Sequence, residues 1–318
     1  MKMRYGNDCI SAPWHGCTFS KLDKIDQGLL GSVANICIYD YDIETLEGHN
    51  WLNDHIIDGF LASRAIMAKE LGHDGTVFPP SCYFFENLVS GRLSPGVYKY
   101  FLKYGVLRKD VLLIPVNDSK VHWILIVVVF KRKTTLYLDS NHGLKLSILK
   151  VITSFFGQLY EQISKKPYTF KDWSFFAPND VPKQDNSSDC GPFVCAFSHL
   201  IASGNKHQFT QKDMCSIRPW IAKEILGYRG KSYLEKEENY IPLEIGDDYC
   251  SDILPSLFEG RCSQCFLKDN CRRPIEDVTK VFCDGTCKDW YHCCCLGIDP
   301  KDLPSVFICQ RCKSESDK

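Results

Sequence analysis

Gln184-Asp185-Asn186-Ser187-Ser188-Asp189-Cys190-Gly191-Pro192-Phe193-Val194-Cys195 runs from a polar loop straight into an apolar helical pattern. Phe193, Phe197, Leu200 and Ile201 fall at i, i+4, i+7 and i+8, one face of a helix that Gly204 can end. Pro192 suits the first turn, where its missing N–H has no partner to lose. The pattern sets Cys190 at or just before a helix N-terminus, where unpaired N–H groups and the macrodipole favour an anion. A thiol there is biased toward the thiolate, its nucleophilic form. A lone cysteine in that place is more often a buried structural residue. What changes the balance is a histidine, an aspartate and a glutamine elsewhere in the chain.

Upstream, Val111 to Asn117 reads as a strand, and His122 to Phe130 as a nearly continuous apolar strand buried on both faces of a sheet. Lys131-Arg132-Lys133-Thr134 turns the chain, and Thr135 to Asp139 returns as an antiparallel partner. His122 opens one strand and Asp139 closes its neighbour, so His122 Nδ1–H could reach the Asp139 carboxylate. His142 is a rival base, but three residues past Asp139 it fits a turn better. Earlier still, Asn53 or Asp54 can cap a helix carrying Ile56, Ile57, Phe60 and Leu61 and ending near Gly72. Trp51 is either a staple packed under that helix or a surface aromatic that holds substrate, packing being the favoured role. Leu144 to Tyr160 and Gln211 to Leu226 read as further helices.

Composition bounds the function. The chain has 318 residues, 44% hydrophobic and 24% charged, with a formal net charge of -1. Those values suit a soluble globular protein and give no general attraction for nucleic acid or membrane. The longest apolar run, Ile124 to Phe130, is too short to span a bilayer. No apolar stretch follows Met1-Lys2-Met3-Arg4, so an intracellular setting is expected. The 18 cysteines are the anomaly, ten of them between Cys262 and Cys312. In a reducing compartment that density points to metal ligation.

His122-Trp123, Leu138-Asp139-Ser140 and Gln184…Asp189-Cys190-Gly191 follow Trp51-Leu52-Asn53-Asp54 in that order. From about Leu46 to Leu226 the chain resembles the sentrin-protease family, cysteine peptidases that process SUMO and related ubiquitin-like proteins. The resemblance implies an α+β, papain-like fold with a central mixed sheet flanked by helices. It implies Cys190 as nucleophile, His122 as base, Asp139 as the group that orients the imidazole, and Gln184 with the Cys190 backbone N–H as oxyanion donors. By the same resemblance Trp51 and Trp123 flank a narrow tunnel for a Gly-Gly terminus. No cofactor is needed for catalysis. Ser187 stands where the family usually has Gly, and Pro192 where it usually has an aliphatic residue. An acetyltransferase using the same Cys-His-Asp site is the alternative enzyme. A chromatin-binding protein with a weakened peptidase site is the third reading.

Four close pairs follow: Cys262-x2-Cys265, Cys283-x3-Cys287, His292-x2-Cys295 and Cys309-x2-Cys312. Eight ligands suffice for two closed tetrahedral zinc sites. With Trp290-Tyr291 ahead of His292, the order resembles a PHD finger. Its cross-brace assigns Cys262, Cys265, His292 and Cys295 to one zinc, and Cys283, Cys287, Cys309 and Cys312 to the other. Some PHD fingers bind histone tails, which suggests a nuclear setting; Trp290 is either a cage aromatic or a core residue of the small zinc fold. The expected organisation is a lead-in over 1–45, a peptidase domain over 46–227, a charged linker over 228–260 and the zinc module over 261–314. The expected partner is a SUMO-like modifier, with a histone tail as a second.

Overall fold

The computed structural model describes residues 12–19, 28–71, 77–92, 95–130, 134–165, 167, 174–178, 181–203, 208–234, 279–285, 290–296, 298–309 and 312–313. A hairpin, β1 (Leu29–Val33) and β2 (Ile36–Tyr39), leads into the short helix α1 (Asp40–Glu44) and the long helix α2 (Asp54–Glu70). Asn53 caps α2, its side chain accepting from Ile56 N–H at 3.1 Å. The small strand β3 (Val77–Phe78) precedes helices α3 (Tyr83–Val89) and α4 (Pro95–Lys103). Then come β4 (Val111–Asp118), β5 (His122–Val129), β6 (Thr134–Leu138), α5 (Leu146–Ser164), β7 (Ser174–Phe176), α6 (Cys190–Ser203) and α7 (Met214–Gly227). The expected strands and helices are all present, within a few residues of their sequence limits.

The five-stranded sheet has the order β3-β4-β5-β6-β7, with parallel outer pairs and antiparallel inner pairs. It is therefore mixed, and β5, the apolar run, lies at its centre. Period-two alternation divides the core between the two faces. Leu113, Leu125, Val127, Leu136 and Leu138 join α2, α6 and α7 in one buried cluster. Leu112, Ile114, Ile124, Ile126, Val128 and Tyr137 join α3, α4 and α5 in the other. With helices on both faces a continuous apolar strand is stable at the centre.

Residues before Leu46 share this core. Trp14 is fully buried with edge-to-face contacts to Trp220 and Phe209, and Val33, Ile38 and Ile43 join the same cluster. No helix among the described residues is long and apolar enough to cross a membrane. Farther on, β8 (Lys280–Phe282) pairs antiparallel with β9 (Trp290–His292).

Candidate active site

Helix α6 begins at Cys190, and Phe193 N–H donates to Asp189 O at 2.9 Å. Cys190 is 4% exposed. Gly191 is required by close approach: a Cβ there would meet Leu52 side-chain atoms at 2.9 Å. Leu52 in turn accepts Trp123 Nε1–H on its carbonyl at 3.1 Å, so the first turn of α6, the entry to α2 and β5 meet at one place.

His122 opens β5 and Asp139 follows the last residue of β6. Their contact is 2.6 Å, from His122 Nε2 to Asp139 Oδ1. This corrects the ring nitrogen expected from the sequence. Leu138 pairs with Leu125, so Asp139 stops short of His122 along the strands, and the outer nitrogen spans the gap. Nδ1 stays on the side of Asn141 Nδ2, at 3.4 Å. Burial works against a charged imidazole here. Hydrogen bonds with Asp139 and Cys190 outweigh it and push His122 up to about 9. Burial alone would raise the Asp139 carboxyl. Hydrogen bonds from His122 and from the N–H groups of Asn141 and Gly143 hold it below the usual range instead.

Gln184 is anchored beside this pair. Its N–H donates to Ser140 O at 3.0 Å, its Oε1 accepts from Ser140 Oγ, and its Nε2 donates to Asn186 O at 2.6 Å. A primary amide carries two N–H bonds, so one remains for a ligand. His142, in a left-handed turn with φ 58°, holds Val181 O through Nε2 at 2.9 Å. Ser187, in place of glycine, keeps a negative φ, because no left-handed residue other than His142 and Lys165 occurs after Lys120 among the described non-glycine residues.

The two tryptophans differ. Trp123 is 6% exposed, and Trp51 is 53% exposed. The packing role favoured for Trp51 is therefore wrong. Leu52, next to the Asn53 cap, turns inward and takes the staple position, which leaves the indole of Trp51 outside. Sequence reasoning also missed Arg218 on α7, which bonds both the Cys190 loop and the Trp51 segment. An isolated arginine inside an apolar helix pattern carries no motif, and its burial was the only signal to follow.

In the C-terminal module Cys283, Cys309 and Cys312 bring their sulfurs within 4.8 Å of one another. All three are buried and none forms a disulfide. Cys309 N–H donates to Cys283 Sγ at 3.2 Å and Cys312 N–H to Cys309 Sγ at 3.5 Å. A Cβ at Gly285 would meet Cys312 Sγ at 2.9 Å, so the backbone closes tightly on the sulfurs. Converging thiols with N–H donors at their backs fit a soft divalent metal. Cys262, Cys265 and Cys287, and the side chains of Trp290, His292 and Cys295, lie outside the described residues.

Residues 98–231 match a family model described as the Ulp1 protease family, C-terminal catalytic domain. The chain is 32% identical over 189 residues to human sentrin-specific protease 3, covering 58% of this chain and 31% of that one. With human sentrin-specific protease 2 it is 28% identical over 201 residues, covering 62% and 33%. It thus spans about a third of the length of the curated relatives it matches. Among solved structures it is similar to the C-terminal Ulp1 protease domain in complex with Smt3, the yeast ortholog of SUMO. That likeness has a TM-score of 0.52 and 25% identity, over 65% of this chain and 90% of that one. Residues 98–231, which hold His122, Asp139, Gln184 and Cys190, match the Ulp1 protease family model, and the likeness to sentrin-specific and Ulp1 proteases extends over 58% to 65% of this chain.

Proposed function

We propose that the protein is a cysteine peptidase that hydrolyses the bond after the C-terminal Gly-Gly of a SUMO-like modifier, in a precursor or in a lysine conjugate. The observation that carries the reading is a thiol at a helix start together with a histidine whose ring is held by a carboxylate at 2.6 Å and is pushed up to about 9 by that carboxylate and the thiol. His122 draws off the proton of the Cys190 thiol as base. Cys190 Sγ attacks the carbonyl carbon of the terminal glycine, and the Cys190 N–H and Gln184 amide meet the oxygen as it becomes negative. The C–N bond breaks, the departing amine takes the proton from His122, and a thioester is left. Water then adds with His122 accepting its proton, which frees the glycine carboxylate and restores the thiol pair. Asp139 orients the ring throughout without becoming protonated.

Trp51 and Trp123 border the entry. Two indoles leave room for an unsubstituted glycine backbone and exclude larger side chains. The named relatives are proteases, one of them solved with a SUMO ortholog, which favours hydrolysis over acyl transfer. The converging Cys283, Cys309 and Cys312 support zinc in the C-terminal module, with Cys287 as fourth ligand and Cys262, Cys265, His292 and Cys295 around a second ion. A PHD-like module of this kind would take a histone tail and place the enzyme in the nucleus. The test is covalent capture: a panel of ubiquitin-like proteins with electrophilic C-termini, offered to the enzyme and to Cys190→Ser. A SUMO-like probe should label the first and not the second. Labelling that survives the substitution sinks the assignment.

A further inference from the structure

Arg218 is 3% exposed, and it reaches two separate parts of the site. Its Nε and Nη2 donate to Asp189 Oδ1 at 3.0 and 2.7 Å, and Nη2 also donates to Ser188 O at 3.0 Å. Nη1 turns the other way, to Asn50 O at 3.0 Å, with Thr45 O and Leu46 O at 3.4 Å. The other Asp189 oxygen accepts from Asn186 Nδ2 at 2.7 Å and from Gln211 Nε2 at 2.6 Å. Gln211 Oε1 also takes Asp185 N–H at 3.1 Å. One planar cation thus fixes residues 185–189, which end at the nucleophile, to residues 45–50, which end at Trp51. A carboxylate buried this deeply needs such donors to remain charged.

We infer that Arg218 is a positioning residue: through Asp189 and Ser188 it sets the Cys190 backbone N–H where a developing oxyanion will stand, and through Asn50 it keeps the Trp51 wall in register with it. This rests on the peptidase reading. Lysine cannot substitute, because a single ammonium has neither the planar fork nor the reach to serve loop and wall together. The role belongs to the transition state of acyl transfer, so it separates from simple reactivity of the sulfur. Alkylation of a thiol by iodoacetamide is displacement at a saturated carbon and builds no oxyanion.

The experiment compares wild type, Arg218→Lys and Arg218→Ala in kcat and KM on a Gly-Gly-linked SUMO substrate, and in iodoacetamide labelling of Cys190 resolved by mass spectrometry. For Arg218→Lys, kcat should fall at least about tenfold, the scale of a misplaced oxyanion donor. Cys190 alkylation should stay within about twofold, since it uses no oxyanion donor, and KM should rise alongside the fall in kcat as the Trp51 wall loses its Asn50 anchor. Millimolar guanidinium should restore part of the activity of Arg218→Ala. Equal losses in kcat and alkylation, or a KM rise with kcat intact, overturn the inference in favour of a structural role. Should neither variant fold, Gln211→Ala removes a tether on the same loop without uncovering the buried cation. It should lower kcat with alkylation unchanged, and a full kcat there also overturns the inference. A wild-type enzyme whose Cys190 alkylates normally but which cleaves no ubiquitin-like substrate sinks the peptidase reading instead.

Discussion

The sheet domain and the cysteine-rich module hold themselves together by different means. The first buries two large apolar clusters on opposite faces of a five-stranded sheet. His122, Asp139 and Gln184 gather at one strand end. Among the described residues of the second, Cys283, Cys309 and Cys312 cluster with the buried aromatics Tyr291 and Phe307. The proposed zinc would supply folding free energy that so small a described cluster does not. The two proposals use cysteine in opposite senses: one thiol as a nucleophile, several locked by an ion.

That contrast can be broken most sharply by chelation. Stripping zinc should remove on the order of 10 kcal/mol of metal-linked folding free energy from the module. Cleavage by the sheet domain should continue unchanged. Zinc content, followed with amide dispersion in NMR spectra, reads the first part, and turnover in chelator reads the second. A peptidase that stops when the metal leaves, or a module that keeps its dispersion without it, erases the distinction.

Within the sheet domain the largest effect should come from His122→Ala. Loss of the base should lower kcat by about 10² to 10⁴, with capture of the folded modifier largely retained. Binding measured by calorimetry against kcat separates the two. Replacing Gln184 by Ala should raise the acylation barrier by about 3 kcal/mol, the usual consequence of deleting one oxyanion donor. Single-turnover acylation rates would show it, and an unchanged rate would mean that the oxyanion faces other donors. The pH profile is a gentler probe. His122 is pushed up to about 9, so the ring keeps its proton below that value and loses it as pH rises through it. An alkaline limb of kcat/KM near 9 should follow, and one near the ordinary histidine value would argue against the Asp139 and Cys190 contacts.

Much of this arrangement was legible in the sequence, for reasons specific to each residue. Period-two alternation and the long apolar run fix β5 at the centre. Antiparallel return through a short turn then forces His122 and Asp139 to one end. Pro192 and the apolar periodicity place Cys190 at a helix start. What was not legible depends on reach and on long-range contact. The choice of Nε2 over Nδ1 depends on a register offset of a few ångströms. Arg218 lies 29 residues from Asp189 in sequence and 168 from Asn50, and nothing local marks it. Trp51 was misjudged because two neighbouring apolar residues competed for one inward position, and sequence spacing alone does not say that Leu52 wins.

The two tryptophans supply the most discriminating test, and Trp51 the smallest effect. Trp123 is buried and its indole N–H holds the Leu52 carbonyl, so it acts on both the core and the site. Trp123→Ala should cost about 3–5 kcal/mol of stability, as truncation of a large buried aromatic does. Trp51 is more than half exposed, so Trp51→Ala should change stability by no more than about 0.5 kcal/mol. At the entry proposed for it, a side chain that the fold does not need acts on whatever enters. Its removal should therefore raise KM for a Gly-Gly-linked substrate and relax discrimination against Ala-Ala ends, while thermal unfolding stays at the wild-type midpoint. Paired melting curves and competition between Gly-Gly and Ala-Ala substrates measure both at once. A lowered midpoint would return Trp51 to the packing role expected for it, and unaltered discrimination would leave the entry to be formed by other residues.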